Sequence, residues 1–266
     1  MSRINNKFYR LKEKKESAFI AYIMAGDPDL ETTLNLLKLL PKNGVDIIEL
    51  GMPFTDPIAD GISIQRAGQR SLNSGTNLLK ILNIIKEFRK TDNITPVVLM
   101  GYYNPIYSMG VENFLNKAKL VGVDGLLIVD LPPEGDNEVC LPAKKKGIDF
   151  IRLATPTSND KRLKKIIKNS SGFLYYVSIT GVTGNKLTSI KDIQSKVLEI
   201  KKKTDIPVCV GFGIKNNKIA KEIANFSDGV VVGSAIIERI EKKLSLEKII
   251  KFCNELSIAI KNKNNL

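Results

Sequence analysis

The residues best suited to chemistry are carboxylates, because the 266-residue chain contains no histidine. Proton transfer near neutral pH must therefore use carboxylate, tyrosine, lysine or cysteine side chains. Glu49 lies within the apolar run Ile47-Ile48-Glu49-Leu50, where burial would raise its pKa towards a useful acid/base value. The alternative is a strand-end glutamate paired with a lysine. A carboxylate is costly to bury without a purpose, which favours the catalytic interpretation.

An acidic segment follows this run: Pro53-Phe54-Thr55-Asp56-Pro57-Ile58-Ala59-Asp60-Gly61. Its prolines exclude a regular helix or a central strand, so we expect a shaped loop that carries negative charge. Either Asp56 or Asp60 is a candidate catalytic group. Both remain equally compatible with side-chain turns of the kind that aspartates form beside proline and glycine.

Three glycine-containing turns could bind an anion: Gly181-Val182-Thr183-Gly184, Gly211-Phe212-Gly213 and Gly233-Ser234. Glycine lets backbone N–H groups approach an anion closely, and the start of a helix adds a favourable dipole. A phosphate site is the functional interpretation, and ordinary tight turns are the alternative.

These candidates must be positioned by the β-rich apolar runs that recur along the chain with amphipathic stretches between them. The runs cover residues 19–24, 46–50, 96–101, 125–129, 150–154, 173–178, 207–211 and 229–233. Continuous apolar runs indicate parallel strands that are buried on both faces. The sequence therefore predicts one α/β domain over residues 1–266, a closed (β/α)₈ TIM barrel, and each glycine turn follows one of its last three strands.

Helical spacing is clear over residues 30–40, 77–89 and 111–121, and residues 4–16 predict an extra helix within a segment, 1–17, that caps the barrel. The second and third strands are unusually far apart in the sequence. The excess lies in residues 51–75, which we expect to form an extended catalytic loop region, because catalytic groups of such barrels lie on loops after the strands.

Composition restricts the class of protein. The formal charge of +13 is compatible with a nucleic-acid surface, but the lysines are dispersed over helical stretches and no recognition motif accompanies them. We therefore expect solvated helix faces and no nucleic-acid partner. Three separated cysteines suggest neither disulfides nor a metal site. No apolar run resembles a signal peptide or a membrane span, so a cytoplasmic protein without a membrane partner is expected.

The segment from Glu49 to Gly61 resembles the signature of the α subunits of tryptophan synthase almost position for position. The resemblance extends through six further motifs in family order: Ala25-Gly26-Asp27-Pro28, Tyr102-Tyr103-Asn104-Pro105, Asp130-Leu131-Pro132, Thr180-Gly181-Val182-Thr183-Gly184, Gly211-Phe212-Gly213-Ile214 and Gly233-Ser234-Ala235-Ile236. It implies a lyase that cleaves indole-3-glycerol phosphate into indole and glyceraldehyde 3-phosphate in tryptophan biosynthesis.

The resemblance also implies residue roles. Glu49 would be the general acid/base, Asp60 would accept the indole N–H, and Tyr175 would support the site. Backbone groups of Gly184, Gly213 and Gly233, with Ser234, would hold the phosphate. The indole pocket would comprise Tyr22, Met100, Tyr102, Leu127, Val129, Leu153, Thr183 and Phe212.

The partner implied by the resemblance is a β subunit in an α₂β₂ heterotetramer, contacted by the loop residues Pro53, Asp56 and Pro57. Pyridoxal phosphate is expected only on that separate subunit, and the chain itself is expected to need no cofactor or metal. Departures from the commonest signature occur at Thr55, at Ile62-Ser63 and at Gly135, and none removes a catalytic group.

Several alternatives remain at this point. A stand-alone lyase that releases free indole would share these motifs, and a non-catalytic activator of the β subunit would differ only in its activity. Other phosphate-binding barrels of the same pathway lack the Pro-Phe-Thr-Asp-Pro loop. Indole release by the purified chain, with and without the β subunit, discriminates among these possibilities.

Overall fold

The fold is a closed barrel of eight parallel strands, in a computed structural model that describes residues 1–177, 189–211 and 213–262. Each strand pairs with its neighbour in the sequence, and β8 closes the barrel against β1. The strands are β1 (Ala18–Met24), β2 (Ile47–Gly51), β3 (Val97–Gly101), β4 (Gly125–Ile128), β5 (Asp149–Ala154), β6 (Leu174–Val177), β7 (Val208–Gly211) and β8 (Gly229–Val232). The predicted (β/α)₈ barrel is confirmed, with strand ends that differ from the predicted ones by one residue in most cases.

The strands are apolar throughout because both of their faces are buried. On β2, Ile47 packs into the cluster inside the barrel, whereas Ile48 and Leu50 pack against the helices outside. This alternation follows from the two-residue period of a strand. It places Glu49, which lies two positions after Ile47, on the interior side of the wall.

Twelve helices are described, most of them on the outside of the barrel. They are α1 (Arg3–Glu13), α2 (Leu30–Leu39), α3 (Ile62–Asn73), α4 (Leu78–Arg89), α5 (Tyr103–Met109), α6 (Val111–Val121), α7 (Cys140–Lys145), α8 (Asp160–Asn169), α9 (Ile190–Lys201), α10 (Asn217–Ala224), α11 (Ser234–Glu241) and α12 (Leu246–Lys261). None of these helices is long and apolar enough to span a membrane.

Helix α1 is the extra helix that residues 4–16 predict, and it ends three residues earlier, at Glu13. Its buried face consists of Ile4, Phe8 and Leu11, which join the cluster inside the barrel. The Phe8 ring lies 6.0 Å from the ring of Phe173, which immediately precedes β6. Helix α1 therefore covers the N-terminal end of the barrel, opposite the ends at which β6, β7 and β8 lead into the glycine turns.

The region 51–75 differs from the extended loop that the sequence predicts. The loop ends at Gly61, and α3 begins at Ile62. The buried residues of α3 are the small Ala67, Gly68 and Ser71, whereas its larger apolar residues are exposed or half-buried, so no stripe of large apolar side chains marks this helix in the sequence. The Ile62-Ser63 departure from the family signature thus lies in the first turn of this helix.

Cys140, Cys209 and Cys253 are all buried and free. Cys209 lies in the cluster inside the barrel, whereas Cys140 and Cys253 lie in the layer between strands and helices. Burial raises the pKa of each thiol, that of Cys253 to about 12.

Candidate functional site

A cavity of about 210 Å³ opens at the C-terminal ends of the strands. The loop after β2, the first turn of α3 and the ends of β6, β7 and β8 surround it. Its described lining comprises Tyr22, Glu49, Asp60, Gly61, Ile64, Met100, Tyr175, Val177, Gly211, Gly213, Ile214, Val231, Gly233 and Ser234. Two carboxylates, two tyrosines and several glycines thus share one apolar chamber.

Glu49 has no polar partner in this chamber. It lies between Tyr22 of β1 and Val98 of β3 in the barrel wall, and only 1% of its surface is exposed. Neither carboxylate oxygen accepts a hydrogen bond within the described part of the chain, which also offers it no lysine partner. Burial alone raises the pKa of Glu49 to about 8. The side chain is therefore a protonated acid at neutral pH, and it faces the cavity.

Asp60 lies at the far end of the acidic loop, and Tyr102 holds it there. The hydroxyl of Tyr102 accepts a hydrogen bond from the Ala59 N–H over 2.9 Å, and its ring centroid lies 5.2 Å from that of Phe54. Burial raises the pKa of Asp60 to about 6, and a hydrogen bond from Tyr102 lowers it in part. Asp60 is thus largely ionised at neutral pH, when Glu49 is largely protonated.

Asp56 behaves differently from Asp60. Its side chain is exposed and accepts a hydrogen bond from the Thr55 hydroxyl over 2.5 Å, which is a local contact within the loop. Of the two aspartates in the loop, only Asp60 lines the cavity. In the same loop Pro53 is buried and Pro57 is half-buried, so the loop is anchored at its start and open to solvent at its apex.

Two glycines in the barrel wall give space to two tyrosine rings. Tyr22 leans across the strand boundary over Gly51, and Tyr175 leans over Gly211 in the same way. A Cβ atom at either glycine would collide with the phenol hydroxyl of the tyrosine. Burial raises the pKa of both tyrosines, so their hydroxyls stay protonated as hydrogen-bond donors inside the cavity.

The anion-binding candidates border the same cavity as the loop after β2. Gly213 has a φ of +45°, which favours glycine, and Gly233 precedes the first turn of α11. The carbonyl of Gly233 accepts hydrogen bonds from Ile236 and Ile237, whereas the preceding N–H groups, those of Ser234 and Ala235, have no carbonyl of the same helix to bind. The described lining contains no lysine or arginine, so backbone amides and the Ser234 hydroxyl are the donors that this part of the cavity offers to an anion. Gly184 lies outside the described residues.

The predicted indole-pocket residues separate into four groups. Tyr22 and Met100 line the cavity with Glu49. Leu127 belongs to the buried interior cluster, against which Val129 and Leu153 pack; these two also line a neighbouring cavity. Thr183 and Phe212 lie outside the described residues. Tyr102 positions the loop, as described above, and for Leu127, Val129 and Leu153 contact with a ligand stays a prediction.

Sequence reasoning missed Ile64, Val177, Ile214 and Val231, which also line the cavity. Two of these positions were detectable from strand alternation, since Val177 is two residues after Tyr175 and Val231 is two before Gly233. Ile64 was not detectable without α3. Among the described residues, no group of three potential ligand side chains is arranged to hold a metal ion.

Comparison with known proteins places this geometry in a family. The family model for the tryptophan synthase alpha chain matches residues 8–264. The chain is 38% identical to tryptophan synthase subunit alpha from Legionella pneumophila str. Paris, with a TM-score of 0.91 and 98% of each chain covered. A solved structure from Aquifex aeolicus VF5 is 40% identical, with a TM-score of 0.91 and coverage of 98% of this chain and 100% of that one. A chain of the aminoacrylate-bound tryptophan synthase from M. tuberculosis is 29% identical, with a TM-score of 0.89 and coverage of 98% and 100%.

Proposed function

The chain belongs to the tryptophan synthase alpha chain family, and from this membership we propose that it catalyses the retro-aldol cleavage of indole-3-glycerol phosphate into indole and glyceraldehyde 3-phosphate. The observation that carries the proposal is the protonated Glu49, without a polar partner in the part of the chain that the structure describes, in the same cavity as Asp60. Cleavage of a carbon–carbon bond to an indole ring needs these two protonation states together.

The first step is protonation of the ring. Glu49 donates its proton to the indole carbon that bears the glycerol chain, which breaks the aromaticity and creates a cationic indolenine. Asp60, as an ionised carboxylate, accepts a hydrogen bond from the ring N–H and stabilises the positive charge at nitrogen. Among the described residues no polar group competes for the Glu49 carboxyl, which leaves its proton available to the substrate.

The second step breaks the carbon–carbon bond. The Glu49 carboxylate takes the proton of the adjacent glycerol hydroxyl, and the O–H electron pair forms the aldehyde C=O. The electrons of the carbon–carbon bond return to the ring, which restores neutral, aromatic indole. Glu49 is protonated again, so the acid/base cycle closes without a change in oxidation state. We propose that the chain needs no cofactor of its own for this reaction.

The glycine side of the cavity would hold the phosphate. Backbone amides around Gly213, Gly233 and Ser234 are suited to an anion, and they bound the same cavity as Asp60. We propose that Gly184 contributes in the same way. Binding at both ends places the scissile bond beside Glu49, and such orientation is a large part of the rate enhancement.

The proposed partner is a β subunit, with which the chain would form an α₂β₂ heterotetramer. That subunit would use pyridoxal phosphate to join the released indole to serine. The acidic loop, which is anchored through Tyr102 and exposed at Ile58, is the surface that we propose for this contact.

Indole release from indole-3-glycerol phosphate by the purified chain, with and without its β subunit, tests the proposal. We expect release in both cases, faster in the complex, and none from the Glu49→Gln variant. Release by the chain alone at the full rate would favour a stand-alone lyase. A wild-type chain that releases no indole in either condition, yet activates the β subunit, would be a non-catalytic activator and would contradict the proposal.

A further inference from the structure

A partly buried ionic cluster lies outside the cavity, between the loop after β1 and two helices. The guanidinium of Arg70, on α3, donates two hydrogen bonds to Asp27 over 2.7 Å and 2.8 Å. It also reaches Glu241, the last residue of α11, over 3.2 Å. The Asp27 carboxylate is completely buried, and Arg66, one turn before Arg70, approaches Glu241 to 3.8 Å. One side chain thus joins three segments that are distant in the sequence.

The two helices of this cluster carry separate parts of the cavity lining. Helix α3 begins directly after Asp60 and Gly61, whereas α11 begins at Ser234. The helices pack against each other and against β1, and their first turns bound the cavity while their last turns meet at Arg70 and Glu241. Arg70 lies about 12 Å along α3 from its start, and Glu241 lies about 10 Å along α11 from its start. The two distances are similar, and the last turns of the two helices meet, so the helices run roughly parallel from the cavity to the ionic cluster.

The loop after β1 is fixed to α3 by two further hydrogen bonds. The Ser71 hydroxyl donates to the Ala25 carbonyl over 2.5 Å, and the Ser74 hydroxyl donates to the Gly26 carbonyl over 3.1 Å. These contacts hold α3 to the barrel wall without Arg70. The charged link from α3 to α11, which adds to the packing of the two helices, passes through the Arg70 guanidinium, with a longer contact from Arg66.

We propose that Arg70 is a positioning residue that, through Asp27 and Glu241, sets the distance between Asp60 and the backbone amides at the start of α11. The inference rests on the proposed function, since it assigns the two sides of the cavity to the two ends of one substrate. Loss of the link leaves each side intact but changes their separation. A ligand that spans both sides therefore loses affinity, whereas ligands of one side do not.

The experiment compares three ligands in binding assays with the full chain. Indole reports the Asp60 side, glycerol 3-phosphate reports the α11 side, and an uncleavable analogue reports both. In that analogue a three-carbon chain without hydroxyl groups joins indole to phosphate. For Arg70→Met we expect at least about a tenfold loss of affinity for the linked analogue and less than about a twofold change for either fragment. Misplacement of reacting groups by about 1 Å lowers an enzyme's rate by about 100-fold, so a change of this size in the separation of the two sides would also lower the cleavage rate.

Two further variants keep the test independent of folding. Glu241→Gln removes the negative charge of the ion pair between the helices, at a partly exposed position, and leaves the Asp27 contact intact. It should therefore lower the affinity for the linked analogue in the same way but by a smaller factor. Arg89→Met breaks a buried arginine–aspartate pair of 2.7 Å with Asp124, which precedes β4 at the opposite end of the barrel. Like Arg70→Met, this control removes an arginine–aspartate ion pair. It should leave the ratio of linked-analogue to fragment affinity unchanged.

Three results would each overturn the positioning role. Arg70→Met could weaken the binding of all three ligands equally, Arg89→Met could show the same altered ratio of linked-analogue to fragment affinity, or no variant could change the binding of any ligand. Partial recovery of the linked affinity in Arg70→Lys would support it. Cleavage by the wild-type chain with normal linked binding in Arg70→Met contradicts this inference alone. A wild-type chain that cleaves nothing contradicts the proposed function first, and the two failures are thereby distinguished.

Discussion

Glu49 and Asp60 show how one cavity holds two carboxylates in different protonation states. Burial raises the pKa of both side chains. Asp60 also receives a hydrogen bond from Tyr102, whereas Glu49 has no polar partner among the described residues. The result is a pKa of about 8 for Glu49 and about 6 for Asp60. Glu49 is fully buried and Asp60 only half-buried, and this difference, together with the hydrogen bond from Tyr102, separates a protonated acid from an ionised carboxylate.

Replacement of each carboxylate by its amide should have a distinct kinetic effect. Glu49→Gln keeps the shape but removes the acid/base cycle, so single-turnover cleavage should be nearly lost while the linked substrate analogue still binds. Asp60→Asn removes the charge opposite the ring nitrogen and should lower the rate by about 10²–10³. Near-normal cleavage by Glu49→Gln would contradict the mechanism.

The pH dependence of the rate should be bell-shaped, because activity needs Asp60 ionised and Glu49 protonated. The acidic limb should lie near pH 6 and the alkaline limb near pH 8. Asp60→Asn should lose the acidic limb and keep the alkaline one. An alkaline limb that survives in the residual activity of Glu49→Gln would show that another group titrates there.

Stability should also depend on Glu49. Its pKa is about 8 in the folded chain and 4.5 when unperturbed, so below pH 4.5 both states hold the proton and burial carries no ionisation cost. Between these values the unfolded state releases the proton, and the free energy of unfolding falls as pH rises. The free energy of unfolding of Glu49→Gln should exceed that of the wild type by on the order of 3 kcal/mol at pH 7, and this difference should vanish below pH 4.5. Urea unfolding at several pH values measures this difference, and a gain independent of pH would contradict it.

At the scale of elements, the turn after β7 should recognise charge through its backbone. Gly213 is exposed, has a positive φ and lines the cavity. Gly213→Glu should weaken the binding of glycerol 3-phosphate far more than that of indole, because the added carboxylate would repel the phosphate. Gly213→Gln has the same bulk and backbone strain without the charge and should weaken binding less. Equal weakening of both ligands by Gly213→Glu would refute the assignment of this turn to phosphate.

The strands were predictable because their chemistry is uniform. Parallel strands that are buried on both faces need continuous apolar runs, and β2 and β8 are such runs interrupted only by Glu49 and glycine. Helix α3 was not predictable in the same way, since it buries Ala67, Gly68 and Ser71 against β1 and α11, and small residues leave no apolar period. The predicted loop of residues 51–75 was therefore wrong in its second half.

The site was predictable where a residue type is costly in its position. Glu49 within an apolar run and Asp60 within a proline-rich loop are such residues, and both line the cavity. The role of Tyr102 in holding the loop was not predictable, because it depends on a contact between segments 43 residues apart. The link from Arg70 to Glu241 spans 171 residues and leaves no local pattern in the sequence.

At the scale of the whole molecule, the acidic loop should connect the cavity to the proposed partner. Ile58 is 88% exposed at its apex, and the neighbouring Asp60 lines the cavity, so ordering of this loop by a β subunit would order the site. Asp56→Ala should reduce the stimulation of indole release by the β subunit and leave the basal rate of the chain alone nearly unchanged. Asp205→Ala, an exposed aspartate at the other end of the barrel, is the control. If saturating β subunit leaves release unchanged, and Asp56→Ala alters neither assembly nor rate, the coupling is contradicted.

The three buried cysteines can serve as probes of opening motions in the barrel. A thiol reagent reacts only with an exposed thiolate, so labelling must wait until the surrounding structure opens. Cys253 and Cys140 report separate parts of the helical layer, whereas Cys209 reports the interior beneath the cavity. Labelling of Cys209 should track global unfolding and should slow in the presence of the linked substrate analogue. Mass spectrometry of timed labelling would then resolve which layer of the molecule loosens first.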